Sequence, residues 1–179
     1  MEKHWIKKLS AISAILIGIA TGVGAESSAN QTYSFMHFSV NEGLSQNTVL
    51  SCSQDKLGKM WFATLDGLSS YDGYEFKVYK NEPEDSTSIA SNIICKVYLD
   101  NGGRLWIGTG KGLSLYDKEK DAFKNFPTGD REVTGIADVS GNRIMVAAGG
   151  DLIFFDTASL DWCDDNMIHQ AGKFGATVL

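Results

Sequence analysis

The sequence predicts an all-β chain built from repeated four-stranded units, with its only long helical run at the extreme N-terminus. Three observations predict this. The block Asp55 to Leu68 returns 45 positions later as Asp100 to Leu113, with Asp, Gly, Trp, Thr, Gly and Leu at the same offsets. Glycine occurs 19 times and proline twice, a balance that suits many tight turns rather than Pro-rich linkers. Past Val23 no apolar stripe of 3.6-residue period is sustained, whereas short apolar and β-branched runs alternate with turn residues.

The chain opens like an export leader. Lys3, Lys7 and Lys8 precede the apolar stretch Leu9 to Val23, and Val23-Gly24-Ala25 sets small residues at the −3 and −1 positions, which predicts cleavage after Ala25. An uncleaved anchor is the alternative, but the stretch is short for a span of about 20 residues. Cleavage removes three Lys and one Glu, taking the formal charge from −6 to −8. A periplasmic location follows, with no membrane contact beyond the leader. An acidic chain without clustered Lys and Arg is no nucleic-acid binder. Apolar content of 43% is enough for a packed core and excludes disorder.

Each repeat can be counted out in strands. Thr48 to Ser53 runs into Asp55-Lys56-Leu57-Gly58, whose first Asp and fourth Gly suit a type I turn closing a hairpin. Met60 to Ala63 returns, Gly67 marks the next reversal into Leu68 to Tyr71, and Asp72-Gly73 turns the chain into Tyr74 to Tyr79. The second copy repeats this with Asp100 to Gly103, Leu105 to Gly108, Gly112, Leu113 to Tyr116 and a longer turn before Ala122 to Phe126. Gly141 to Ala148 and Leu152 to Asp156 form a degenerate third copy, with Met145 at the tryptophan position.

Four antiparallel strands per unit, a period in the forties and one Trp per unit describe blades of a β-propeller. The chain then divides into a leader at 1–25, a lead segment at 26–43 carrying the lone strand Tyr33 to Ser39, and blades at 44–79, 80–126 and 127–165. Residues 166–179 would begin a fourth blade, with Gly175 to Leu179 as its first strand. Closed propellers typically take four to eight blades, so the expected fold is an incomplete ring with single strands at both ends. The lone lead strand is the piece that would complete a last blade.

The recurring residues Asp55, Gly58, Trp61, Thr64 and Gly67, with Asp100, Gly103, Trp106, Thr109 and Gly112, read as a structural motif. The Asp carboxylate accepts N–H bonds of its turn and the Trp fills the space between neighbouring blades. The Asp-x-x-Gly-x-x-Trp element is similar to the Asp-box of glycosidase propellers, one residue longer before the Gly and before the Trp.

Catalytic and metal chemistry is not expected. His4, His37 and His169 are scattered, and no Cys-x-x-Cys spacing occurs. Cys52, Cys95 and Cys163 make an odd count, and the repeat register disfavours a bridge between the first two, so all three read as small buried hydrophobes. The acidic run Glu82 to Asp85 and the pair Asp164-Asp165 lack the alternating ligands of a calcium loop. Gly102-Gly103 and Gly108-x-Gly110-x-Gly112 lead into no helix, which a phosphate cradle needs. No cofactor is implied.

Gly43-Leu44-Ser45-Gln46-Asn47-Thr48-Val49, then Gln54-Asp55 to Gly58, Met60-Trp61, Thr64-x-x-Gly67-Leu68, Tyr71-Asp72-Gly73 and Phe76 to Tyr79 resemble the two-component regulator propeller repeat. The resemblance covers residues 33 to 126 well and 127 to 179 loosely. It implies the N-terminal sensor region of a hybrid two-component system histidine kinase, whose parent binds an oligosaccharide or other small ligand and supplies the remaining blades. It also implies signal transduction without catalysis in these residues, which hold no kinase or receiver motif, and it transfers no ligand-contact residue. Two other readings stay open. A glycan-active propeller enzyme would need paired carboxylates facing a pocket, and the candidates Asp66, Asp72 and Asp117 are better read as turn residues. A standalone propeller scaffold would share one ring among several chains.

Overall fold

The computed structural model describes residues 34–139 and 141–163. The leader with its cleavage site, Tyr33 and residues 164–179 lie outside the described residues. Three four-stranded antiparallel sheets follow one another, each with its strands in sequence order. Blade 1 comprises β1 (Val49–Gln54), β2 (Met60–Thr64), β3 (Gly67–Tyr71) and β4 (Phe76–Tyr79). Blade 2 comprises β5 (Ile94–Leu99), β6 (Leu105–Thr109), β7 (Gly112–Asp117) and β8 (Ala122–Pro127). Blade 3 comprises β9 (Val133–Asp138), β10 (Arg143–Ala148), β11 (Asp151–Asp156) and the two-residue β12 (Asp161–Trp162). Among the described residues the only helical turn is the 3-10 segment Val40–Glu42.

The three blades share one register. Trp61 stands opposite Ser70, Trp106 opposite Leu115 and Met145 opposite Phe154. A bulge recurs at the same place in each first hairpin, between Val49 and Ser51, between Ile94 and Lys96, and where Val133 and Gly135 face Ala148 and Ala147. Such a bulge bends the strand and sharpens its twist. The turn glycines Gly58 and Gly103 take φ of 87° and 83°, the left-handed conformation that closes the β1–β2 and β5–β6 hairpins.

First strands lie side by side, β1 beside β5 and β5 beside β9. Ser51 Oγ accepts from Val97 N at 3.3 Å across the first of these junctions. Alternation along each strand then sends side chains to opposite neighbours. In blade 2, Val97, Ile107, Tyr116 and Phe123 pack toward blade 1, whereas Trp106, Leu113, Leu115 and Phe126 pack toward blade 3. The result is two apolar cores, one per seam. Approach is close: a Cβ on Gly108 would lie 2.5 Å from the Val133 carbonyl oxygen of the next blade.

Two expectations are corrected. Residues 34–39 form no strand. No strand of this chain is available beside them to share a hydrogen-bond ladder, so the segment ends in a local turn. Ser39 caps it, accepting from Asn41 N, while Glu42 reaches back to Ser39 N at 2.7 Å. Nor are the cysteines buried hydrophobes. All three are free, Cys52 exposed and Cys95 and Cys163 half-buried. Cys52 occupies the register position of Val97, but its side of blade 1 meets no preceding blade.

The long β4–β5 connection is ordered by its own polar groups. Asp85 Oδ1 accepts from Thr87 N, and Ile89 anchors the loop in the first core. Thr87 O accepts from Phe123 N at 2.8 Å and Asn125 Nδ2 donates to Ser88 O, so the loop covers the outer edge of β8.

Trp61 and Trp106 are both fully buried. Replacing either with Ala should cost roughly 3–5 kcal/mol, as large core truncations do. Urea denaturation checks this, and a variant within about 1 kcal/mol of wild type, the range of surface changes, contradicts the packing.

Candidate functional site

The seams between blades concentrate the polar and aromatic chemistry of the described residues. Their unit is a carboxylate that holds its own hairpin and an indole together. Asp55 Oδ1 accepts from Leu57 N and Lys59 N, and Oδ2 accepts from Trp61 Nε1 at 3.3 Å. Asp100 Oδ1 accepts from Arg104 N, and Oδ2 takes Arg104 Nε at 2.7 Å and Trp106 Nε1 at 2.9 Å. Burial pushes the Asp100 carboxyl upward, but the bonds from Trp106 and Arg104 outweigh it and hold it below the usual carboxylate range. Thr64 and Thr109 staple the next turn, each hydroxyl donating to a glycine carbonyl, Gly67 O at 2.8 Å and Gly112 O at 2.9 Å. Blade 3 has Val139, Met145 and Ala148 at these places and makes neither arrangement.

Each clamped indole inserts between two aromatic residues. Trp61 lies 5.7 Å from Tyr79 of its own blade and 4.7 Å from Tyr116 of the next. Trp106 lies 6.2 Å from Phe126 and 5.4 Å from Phe155. The receiving residue is always paired with a fourth-strand aromatic, Tyr116 with Phe123 and Phe155 with Trp162. A cation then crosses the seam. Lys77 pairs with Asp121, and Arg104 donates to Thr157 O, each in the third turn of the following blade.

Asp121 joins blades 1 and 2 at the outer end of their seam. Its Oδ1 accepts from Tyr79 OH at 2.8 Å and Tyr116 OH at 2.7 Å, while Oδ2 meets the Lys77 ammonium. Burial, then the mutual hydrogen bond and Asp121, raise the Tyr79 phenol. Burial raises Tyr116 to about 12. Partial burial of Asp121 opposes its ionisation, yet Lys77, Tyr116 and Tyr79 together depress it from 3.8 to about 2. Sequence reading missed this cluster. Asp121 is set apart from its partners by up to 44 positions, and its only local mark is a φ of 52°.

Phe38 carries the same seam logic to the open side of blade 1. Its ring lies 4.7 Å from Tyr71 and 5.2 Å from Phe76, the contacts that Tyr79 makes with Tyr116 and Phe123. Two residues on, Val40 N donates to Asn47 Oδ1 at 2.9 Å, just as Asn81 N, two residues past Tyr79, donates to Asn92 Oδ1 at 2.7 Å. Phe38 therefore sits where the outer-strand aromatic of a preceding blade would sit. Leu44 and Ser45 complete the cover, Leu44 buried and Ser45 bonded to Ser69 and Thr64.

The carboxylates considered for catalysis are engaged. Asp66 pairs with Lys80 at 2.8 Å, and Asp72 and Asp117 accept the N–H groups of their own turns. Among the described residues no group of three or more His, Cys, Asp or Glu is placed to hold a metal ion. No helix among them is long and apolar enough to cross a membrane.

Residues 88–111, which hold the second clamp, match the family model of the two-component regulator propeller. The chain carries the two-component regulator propeller repeat. Over 86 residues it is 41% identical to histidine kinase P4 of Formosa agariphila, covering 48% of this chain and 6% of that protein. A solved structure, the extracellular domain of hybrid two-component system BT3049 of B. thetaiotaomicron, superposes with a TM-score of 0.64 at 32% identity. That match covers 75% of this chain and 20% of the other. The extracellular domain of BT4673 from the same organism, at 18% identity and a TM-score of 0.58, shares 73% of this chain and 20% of its own, and shows the fold alone. The chain thus spans a small part of each relative. The regulator-propeller blades here are consecutive units of an all-β propeller-type domain.

The Asp121 cluster gives a pH dependence with a definite sign. Its folded carboxyl is depressed, so the stabilisation is complete above about pH 4 and is lost as pH falls toward about 2. Asp121→Asn should lower stability at neutral pH and flatten the loss across that window. Urea midpoints at stepped pH check it, and parallel curves for variant and wild type contradict it.

Proposed function

We propose that this chain is the leading part of the periplasmic sensor region of a hybrid two-component system, exported by residues 1–25 with cleavage after Ala25. In this reading the blades bind and relay, and perform no catalysis. The parent responds to an oligosaccharide, and its further blades complete the ring that blades 44–79, 80–126 and 127–165 begin, with 166–179 opening the next. The observation that carries the reading is the 32% identity, over three quarters of the chain, to the extracellular domain of a hybrid two-component system. The clamped seams support it, because a ligand held across rigid, repeated blades can transmit a change in their packing without bond chemistry. Engagement of Asp66, Asp72 and Asp117 within their own turns speaks against glycan hydrolysis.

Two measurements test the proposal. The chain expressed in a Gram-negative host should appear in the periplasmic fraction with Glu26 as its first residue. A membrane-bound product that retains Met1 contradicts export by cleavage. In cells carrying the parent gene, a reporter should respond to oligosaccharides released from one polysaccharide and lose that response when residues 26–163 are deleted. A response that survives the deletion, or cleavage of those oligosaccharides by the purified chain, overturns the sensor reading.

A further inference from the structure

The two outermost faces of this chain complement each other. On the open side of blade 1, Tyr71 and Phe76 form the aromatic pair that elsewhere receives an indole from the preceding blade. Phe38 already supplies the outer-strand aromatic of that missing neighbour, but no indole packs on Tyr71 among the described residues. On the open side of blade 3 the reverse holds. Gly135, Ala137, Met145, Ala147, Leu152 and Phe154 make an apolar face, all of them half-buried or exposed, with Met145 at the indole position. Its fourth strand ends at Trp162, short of the residue that would match Tyr79 and Phe126. Each face provides what the other lacks.

Charge follows the same pattern. Lys59, Arg104 and Arg143 are register equivalents, each the second residue before the indole position. Arg104 reaches across its seam to Thr157 O in the third turn of the next blade. Arg143 is exposed and makes no hydrogen bond or ion pair among the described residues. The corresponding turn of blade 1 runs from Asp72 to Glu75 and presents two carboxylates.

We propose that the outward face of blade 3 docks the lead segment and first blade of a second copy of this chain, forming a third seam like the two inside it. Met145 of one copy packs over Tyr71 and Phe76 of the other beside its Phe38, and Arg143 enters the Asp72–Glu75 turn. The contact is head-to-tail, which closes into a ring only if the rotation allows. Two copies bring six blades, within the four to eight of closed propellers.

Sedimentation equilibrium of the full chain tests this. The wild type should form a dimer, and Arg143→Glu or Glu75→Lys should each weaken it about tenfold or more, the scale of one charge pair lost at a contact. Mixing the two variants should restore a heterodimer, a rescue that neither misfolding nor association through the leader can produce. Circular dichroism should show unchanged β content in both variants. A chain that stays monomeric at high concentration overturns the proposal, as when residues 164–179 or other segments of the same chain cover blade 3. So does a dimer that neither substitution weakens.

Discussion

The bond from a buried carboxylate to an indole N–H is the interaction on which the seams depend. The Asp that shapes the first hairpin of a blade also fixes the Trp six residues later, so turn geometry and inter-blade packing are one arrangement. A buried indole whose N–H found no acceptor would lose the desolvation energy of that donor, and a buried carboxylate without donors would lose more. Local chain direction at the turn therefore sets where the largest side chain enters the neighbouring blade. Everything at the seam follows from that placement, including the aromatic pair that receives the ring and the cation that lies over it.

This coupling explains the third blade. Val139 replaces the carboxylate and Met145 the indole, and Ala148 replaces the threonine staple. Losing the acceptor and the donor together leaves no unpaired polar group, whereas losing one would strand the other. A thioether fills irregular space without needing a partner. The sheet itself persists with its register and bulge intact, since backbone pairing needs neither side chain.

Much of the fold was legible because its determinants are local. Asp55 to Gly58 and Asp100 to Gly103 announce their hairpins, and the strands between such turns fell within a residue or two of the observed bounds. Tyr74 and Glu75 were read as strand, but both donate to Asp72 and belong to the turn. What stayed hidden lies between residues distant in sequence. Asp121 meets Lys77 and both tyrosines only after two blades have packed. The lead segment was read as a strand from its apolar alternation, a pattern that cannot tell a paired strand from an extended arm. Its signal was nonetheless present, because Phe38 and Val40 stand before Asn47 in the same order as Tyr79 and Asn81 before Asn92.

That repeated order shows where the chain's boundaries between blades fall in physical terms. A blade's outer strand makes its aromatic contact with the following blade, and the connection after it is tied by an Asn side chain at the head of that blade. Outer strand, connection and next first strand therefore behave as one packing unit that straddles the seam. The lead segment keeps this unit whole even without a sheet of its own to join, since Phe38 packs on blade 1 and Asn47 holds Val40. The side chains at the seam, rather than the hydrogen-bond ladder of a preceding sheet, are what hold it in place.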